Sequence, residues 1–345
     1  MKRASVSGAL FAVRFLTGGG PFHYNESMTA PPYSQSELTR LIKEKALALG
    51  FAKLGIVPAA AFQNGEAAHF QAWLDQGFHA EMEWMVTHYD KRKDPGSLME
   101  GTRSIVCVAM NYFTPDAYDP SDSQALKIAK YARGTDYHYV LKDRLKALLA
   151  FVQALQPEVQ GRALTDSAPI MEKPLAVQAG LGWMGKNGNL ILPGMGSFFF
   201  LGELLLDIDL DYDTTVVPNQ CGSCRRCLDA CPTEAIVAPS VVDANRCIAY
   251  WTIEYKGEAF PAPIRENLNG WMFGCDICQD VCPWNVKFAR PTVEEAFQPR
   301  PLTVSPQRDA LMALDEEAFR EAFRKSPIKR PKLQGLRRNV SMATE

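Results

Sequence analysis

The stretch "CGSCRRCLDACP", residues 221–232, sets four cysteines in twelve positions and follows the last with proline; "CDICQDVCP", residues 275–283, repeats half of it. Thiolates at that density are soft anionic ligands, and iron–sulfur clusters need them because sulfur donates to iron and balances the cluster's charge. A C-x2-C-x2-C run wraps three sulfurs around three corners of one cubane, and the next cysteine, the one before proline, points toward a second cluster. The spacing therefore predicts that Cys221, Cys224 and Cys227 share one cluster with Cys282, while Cys231 joins Cys275 and Cys278 on the other. That second set lacks one ligand, and Cys247 is the unassigned cysteine nearby. Two all-thiolate zinc sites would also use eight sulfurs, but zinc ribbons use separated C-x2-C pairs. The reading is two 4Fe–4S clusters, close enough to pass single electrons to a further acceptor.

The remaining composition agrees with a reducing compartment. Eight of the nine cysteines lie between 221 and 282, whereas disulfide scaffolds are usually small and cysteine-dense throughout. The ninth, Cys107, sits in the apolar run "SIVCVAMNYF" and reads as a core residue rather than a reactive thiol. With 345 residues, 47% of them apolar, the chain can form two or three domains. Its net charge of −2 excludes a generally basic nucleic-acid binder, so RNA would need a local patch. No run of eighteen apolar residues suggests a membrane span, and the expected location is the cytoplasm. The opening "MKRASVSGALFAVRFLTGGG" imitates a signal peptide weakly: Arg14 interrupts it and no A-x-A site follows. Residues 1–30 read as a disordered extension, with Met28 as a candidate functional start.

The elements that must position the cysteines read as a mixed α+β domain over residues 31–210. Ser34 and Glu37 have capping-box spacing, Leu38, Leu41, Ile42 and Leu49 share a helical face, and Gly50 ends the helix before a strand in "FAKLGIV". A second amphipathic helix, "VLKDRLKALLAFVQAL", ends at Pro157 and leads into a strand-like "RALTDSAPI". Pro174 opens a short helix, four glycines between 180 and 188 make a loop, and two strands joined by a Gly194–Gly196 turn follow. Residues 211–290 carry the cysteines and little periodicity, so metal there replaces part of a core in a ferredoxin-like module. Residues 291–345 are helical, and seven basic residues without an acidic one lie between Arg324 and Thr344.

In combination, "YARGTDYH" (131–138), "TDSAPIMEKPLAVQAGLGWMGKN" (165–187), "GSFFFLGELLLD" (196–207) and the two cysteine motifs resemble the epoxyqueuosine reductases, from about residue 35 to the C-terminus. The resemblance implies two 4Fe–4S clusters and a cobalamin, and a relationship to corrinoid reductive dehalogenases. It implies reduction of the epoxide of epoxyqueuosine, at the wobble position of tRNA, to the alkene of queuosine, the last step of queuosine biosynthesis. Removing an epoxide oxygen as water takes two electrons and two protons, and a reduced corrinoid recharged through clusters can supply the electrons. The family's acid is the aspartate of a strand-end segment that "TDSAP" resembles, which points to Asp166; the residues alone read equally as a turn or cap. A carboxyl donating near neutral pH is expected to have its pKa raised by burial.

Corrin contacts implied by the resemblance are Arg92 of "DKRKDP", Tyr131, Arg133, Asp166, and backbone around Leu190 and Leu201. The base-off, His-on signature D-x-H-x-x-G is absent: "DYHYVL" has Leu141 where glycine is required. Cobalamin is thus expected base-off without a histidine ligand, and His138 is read as structural. Lys186 reads either as an anion partner or as a solvated surface lysine. Arg330, Lys332, Arg337 and Arg338 of the basic tail are candidate RNA contacts, against a solvated helix face. The tail resembles the family's "SPxxRxKxxGLxRN" segment; longer family members continue into helical repeats after it. Expected partners are tRNA carrying epoxyqueuosine and an external low-potential electron donor, for a monomer off the membrane. A corrinoid reductase of a small molecule and a plain ferredoxin-like carrier are the alternatives; the basic tail argues against the first and the long domain before the cysteines against the second.

Overall fold

Strand Ser104–Asn111 is buried at every residue but the last, which is why its sequence shows no polar alternation. It lies inside a four-stranded antiparallel sheet ordered Lys53–Pro58, Ser104–Asn111, Phe199–Leu206, Gly161–Leu164. Side chains alternate between faces. Val106, Val108 and Met110 pack under helices Gln35–Ala48 and Tyr137–Leu155, while Ile105, Cys107 and Ala109 pack under helix Glu172–Gln178. Cys107 is 1% exposed and its thiol is raised well above its ordinary pKa, first by burial, so it is an inert core residue. The computed structural model describes residues 33–59, 65–116 and 125–343, and the extension expected over residues 1–30 lies outside them.

Several sequence expectations shift in detail. Ser34 Oγ accepts from the Glu37 amide (3.2 Å), half of the expected box, and Gly50 ends the first helix at φ 92°. The strand expected in "RALTDSAPI" stops at Leu164, because Asp166 turns the chain at φ 41°. The short helix starts at Glu172, so Pro174 sits within its first turn, where a missing N–H costs nothing. The glycine loop contains a small hairpin, Trp183–Met184 with Leu190–Ile191, and strand Phe199–Leu206 pairs into the main sheet instead of with it. The late helical stretch breaks into Arg308–Met312 and Glu316–Ala322, the second capped by Asp315 Oδ1 accepting from the Ala318 amide (2.8 Å).

The cysteine-bearing region is bolted to the sheet by polar contacts. Asn285 accepts from the Ser197 amide (2.6 Å) and donates to Ser197 Oγ (2.9 Å), while Gln279 donates to the same hydroxyl (3.0 Å). All three side chains are buried, so each bond replaces one that water cannot provide. The C-terminal helix Lys332–Ala343 buries Leu333, Leu336 and Val340 against Met272 and Phe273, and Asn339 bonds the Thr252 and Met272 carbonyls (2.7 and 2.9 Å). Contacts therefore run across both expected boundaries, near 210 and 290, within one unit that begins at Tyr33.

Gly196 marks the tightest point of this joint: its φ is 88°, and a Cβ there would lie 2.3 Å from Asn285 Oδ1. Replacing it by alanine is expected to destabilise the protein by about 1–3 kcal/mol through strain and a displaced buried amide. Thermal denaturation of the Gly196→Ala variant checks this, and a melting temperature equal to that of the parent contradicts it.

Candidate redox and proton-transfer site

Two adjoining cavities collect the eight clustered cysteines. Cys221, Cys224, Cys227 and Cys282 line a cavity of about 160 Å³. Cys231, Cys247, Cys275 and Cys278 line a second, of about 400 Å³. These are the two foursomes that the spacing predicts, with Cys247 in the second. Asn187 lines both cavities, so the two adjoin at that residue. The thiols stand farther apart than the ligands of one ion: among the described residues no three His, Cys, Asp or Glu side chains are close enough to share one.

Local structure explains the C-P signature. Cys282 caps helix Pro283–Phe288, with proline in the first position where no N–H is needed, and the Trp284 and Asn285 amides turn toward its sulfur. Cys247 caps helix Ile248–Ile253 in the same way, facing the Ala249 and Tyr250 amides. Burial nevertheless dominates and raises the Cys247, Cys275, Cys278 and Cys282 thiols, so a metal must displace their protons. Lys186 meets neither expectation set for it: it donates to the Gly222 and Cys224 carbonyls (2.7 and 3.0 Å) and clamps the first cysteine loop. Lys130, 2% exposed, bonds Asp280 and Asp116 (2.8 and 2.9 Å) beside the second motif, and its amide donates to Asp276 (2.7 Å). An ammonium this deeply buried needs such partners.

The second cavity also reaches Tyr131 and Lys173, both within electrostatic reach of Asp166. The Tyr131 ring stands 6.3 Å from that of Tyr137, whose hydroxyl donates to Asp166 Oδ2. His138 Nε2 lies 3.2 Å from the same oxygen, and His138 Nδ1 lies 2.7 Å from Asp136 Oδ1. These partners come together because Asp136 caps helix Tyr137–Leu155, presenting Tyr137 and His138 from its first turn. Glu172 Oε1 accepts from the Asp166 amide (2.6 Å), holding the left-handed turn.

The electrostatics reverse the expectation of a carboxyl raised by burial. Burial favours neutral Asp166, but hydrogen bonds from His138 and Tyr137, with the charges of His138 and Arg330, pull its pKa below the ordinary value. Burial likewise opposes charge on His138, yet bonds to Asp136 and Asp166 push it up to about 9. The exchangeable proton thus rests on imidazole at neutral pH. Glu172 is pushed up to about 8, by burial first and by Asp166 second. Sequence reasoning missed Tyr137 and Glu172, weighed Asp136 and His138 only against the cobalt-ligand signature, and read His138 as structural; the D-Y-H order at a helix start was the available signal for their pairing with Asp166.

The other expected contacts divide. Arg92 is buried against Trp84 and reaches the Ile170 carbonyl (3.5 Å), with Asp166 and Glu172 close enough to favour its charge. Its Nε, and both carboxyl oxygens of Glu203 on the central strand, are buried without partners among the described residues. Glu203 is raised well above its ordinary pKa, first by burial and then by Glu172 and Asp166. Arg133 does not face the site: it bonds the Ile128 carbonyl (2.9 Å) and Asp116 (2.6 Å) in the interior. Leu190 is buried in the small hairpin, and the Leu201 carbonyl accepts from Thr165 Oγ1 (2.8 Å) just before Asp166.

In the basic tail, Arg330 pairs with Glu254 (2.8 Å) and lies within electrostatic reach of Asp166, while Lys332 is exposed at the start of the last helix. Arg337 donates to the Leu314 carbonyl (2.7 Å). Arg338 differs from a free phosphate contact: its donors go to the Tyr255 and Trp251 carbonyls (3.1 and 3.2 Å), and it stacks over Tyr255 and Phe260. Contiguous positive charge in sequence thus splits between structural staples and the surface.

Comparison with known proteins agrees with this arrangement. A family described as "Epoxyqueuosine reductase QueG, DUF1730" matches residues 92–167, and a "4Fe-4S double cluster binding domain" matches residues 220–285. An epoxyqueuosine reductase of Cyclobacterium marinum is 46% identical over 88% of this chain and 95% of its own length. One from Synechocystis is 45% identical over 83% and 98%. A solved epoxyqueuosine reductase bound to an epoxyqueuosine-modified tRNA-Tyr stem loop superposes with a TM-score of 0.80 at 28% identity, covering 89% of this chain and 80% of that one. The chain is an oxidoreductase with a double-cluster module appended to a mixed α+β domain. It belongs to the epoxyqueuosine reductase family.

The His138–Asp166 pair gives a pH signature. Because His138 is raised in the folded state, its stabilisation is complete below its ordinary value of 6.5 and is lost as pH rises through about 9. Both side chains are partly exposed, so the effect is expected to be about 1 kcal/mol or less. Denaturation of the parent and of His138→Gln should show a gap at pH 6 that closes by about pH 10; a gap that widens with pH contradicts the assignment.

Proposed function

We propose that the protein reduces epoxyqueuosine to queuosine in tRNA, with two 4Fe–4S clusters held by the two cysteine foursomes and a cobalamin beside Asp166. The observation that carries the reading is the pair of thiol-lined cavities that share Asn187, the second of which is lined by Tyr131, next to the Tyr137–Asp166 pair. Four thiols around an open cavity suit a cubane, whereas four thiolates on one zinc ion would close on it. Family membership supports the substrate, and the stem-loop complex of the related enzyme supports an anticodon loop as its form. The small-molecule alternative draws no comparable support.

For the corrinoid, the unpartnered Arg92 Nε and Glu203 carboxyl suit a ligand bearing amide groups, and Tyr131, Leu190 and Leu201 supply apolar walls. Both ring nitrogens of His138 are engaged by carboxylates, which supports cobalt without a histidine ligand. When bound, the corrinoid supplies a low-potential electron pair and the clusters supply electrons singly. The chain's own residues manage the protons. His138 Nε2 holds one against Asp166 Oδ2, Asp136 steadies the imidazolium through Nδ1, and Tyr137 fixes the carboxylate's direction. Covering the pocket removes water from Asp166, favours its neutral form and transfers the proton to the oxygen nearest the substrate. The epoxide oxygen takes up two protons and two electrons and leaves as water, as the carbon–carbon double bond forms.

Exposed Tyr139 and half-buried Lys142 lie at the start of the same helix, exposed Lys325 stands over the Tyr139 ring, and Arg330 is within electrostatic reach of Asp166, a setting suited to phosphates and a stacked base. Lys332 and Arg337 extend it, and Arg338 acts through the fold. A tRNA substrate and reducing-compartment clusters fit a cytoplasmic enzyme, working as a monomer and recharged by an external low-potential donor.

Two variants test this. Asp166→Asn should keep iron, sulfide and corrinoid but lose about 10²–10⁴-fold in turnover on epoxyqueuosine-containing tRNA; full activity removes Asp166 from the chemistry. Cys247→Ala should lower the iron content from about eight to about four per chain, and an unchanged count removes Cys247 from the ligand set.

A further inference from the structure

We propose that the surface around the first cysteine foursome is the docking site for an acidic, low-potential electron-transfer protein. The inference rests on the reading that both foursomes hold clusters. The second cavity is lined by Tyr131, whose ring neighbours the Tyr137 that bonds Asp166, so electrons destined for the substrate leave from there. The first lies on the far side of Asn187 and is therefore where they arrive.

Its surroundings are built of exposed residues. Gln220, Gly222, Ser223, Arg225 and Arg226 are exposed in the loop that carries Cys221, Cys224 and Cys227. On the other side, Cys282 is followed by exposed Pro283, by Val286 at 71% and by Lys287. Trp284, packed edge-on against Trp183 at 4.8 Å, lines the cavity itself. A small apolar spot with a charged rim over a redox centre matches a weak, transient electron-transfer interface.

The charge on this rim is predominantly positive. Between Asp213 and Asp229 the chain has no acidic residue, and none lies between Asp280 and Glu294. Those two segments contain Arg225, Arg226, Lys287 and Arg290, in a molecule of net charge −2. Arg225 reaches Asp229 at 3.3 Å, but both side chains are more than 60% exposed and the pair is weak. Arg226 and Lys287 have no carboxylate partner among the described residues. A concentrated positive rim on a slightly negative protein steers acidic partners and orients them. RNA phosphates would also be attracted, but the thiol-lined cavity beneath the rim favours a redox partner.

The test uses the reconstituted holoenzyme and a reduced, acidic 2Fe–2S ferredoxin as probe, with cluster reduction followed by stopped-flow absorbance. Arg226→Glu/Lys287→Glu should slow reduction by ferredoxin about ten-fold or more at low salt, with the difference shrinking at high salt. Reduction by dithionite and affinity for the tRNA stem loop should stay at parent values. Lys287→Glu/Arg290→Glu, which leaves the cysteine loop untouched, should show the same pattern. Ferredoxin rates unchanged in both variants would overturn the proposal, as would a loss confined to tRNA affinity. A holoenzyme with no iron and no bleaching by dithionite would instead sink the cluster reading on which it stands.

Discussion

Everything in this molecule is arranged around two thiol-lined cavities that share one wall. Electrons cross protein only over short gaps, so two clusters and an acceptor must be held within a few residues of one another. The chain meets that demand by interleaving. Cys282, far along the sequence, completes the foursome begun at Cys221, and Cys231 leaves that loop to join Cys247, Cys275 and Cys278. Neither motif can close its cavity without the other. The buried Ser197–Gln279–Asn285 contacts then lock the pair onto the sheet whose edge strand leads to Asp166.

The proton side follows a different logic. Asp166 sits at the end of an edge strand in a left-handed turn, held by the Glu172 carboxyl, with Tyr137 and His138 delivered to it by a separate helix start. Charge is balanced by pairing rather than by burial, which keeps the open pocket ionised and ready to take up a proton. Glu203 and Cys107, side by side in the sheet, show the opposite regime: burial without partners keeps each neutral. Two neighbouring carboxyls, Asp166 and Glu203, thus differ in protonation because one has donors and the other has none.

The cysteine foursomes were legible in the sequence because ligand spacing is a local code whose crossing rule is fixed by cubane geometry. The mixed α+β class and most strands and helices were legible too, since Ser104–Asn111 and Tyr137–Leu155 carry strong apolar patterns. What was not legible depends on tertiary proximity. The pKa of Asp166 is governed by residues 28 to 30 positions upstream, at Asp136–His138, and no local pattern reports that. Arg133 and Arg338 read in sequence as corrin and RNA contacts, yet Arg133 is drawn into the interior by the Ile128 carbonyl and Asp116, and Arg338 is tied to the Tyr255 and Trp251 carbonyls. Lys186 becomes a clamp only once the cysteine loop folds over it.

The central claim is that the eight thiols hold two cubanes near enough to exchange electrons. Low-temperature EPR of the anaerobically prepared, dithionite-reduced protein addresses it directly. The account predicts about two spins per chain, from two half-spin clusters broadened by their mutual coupling. A single isolated signal, or a silent protein whose thiols carry zinc, would contradict it.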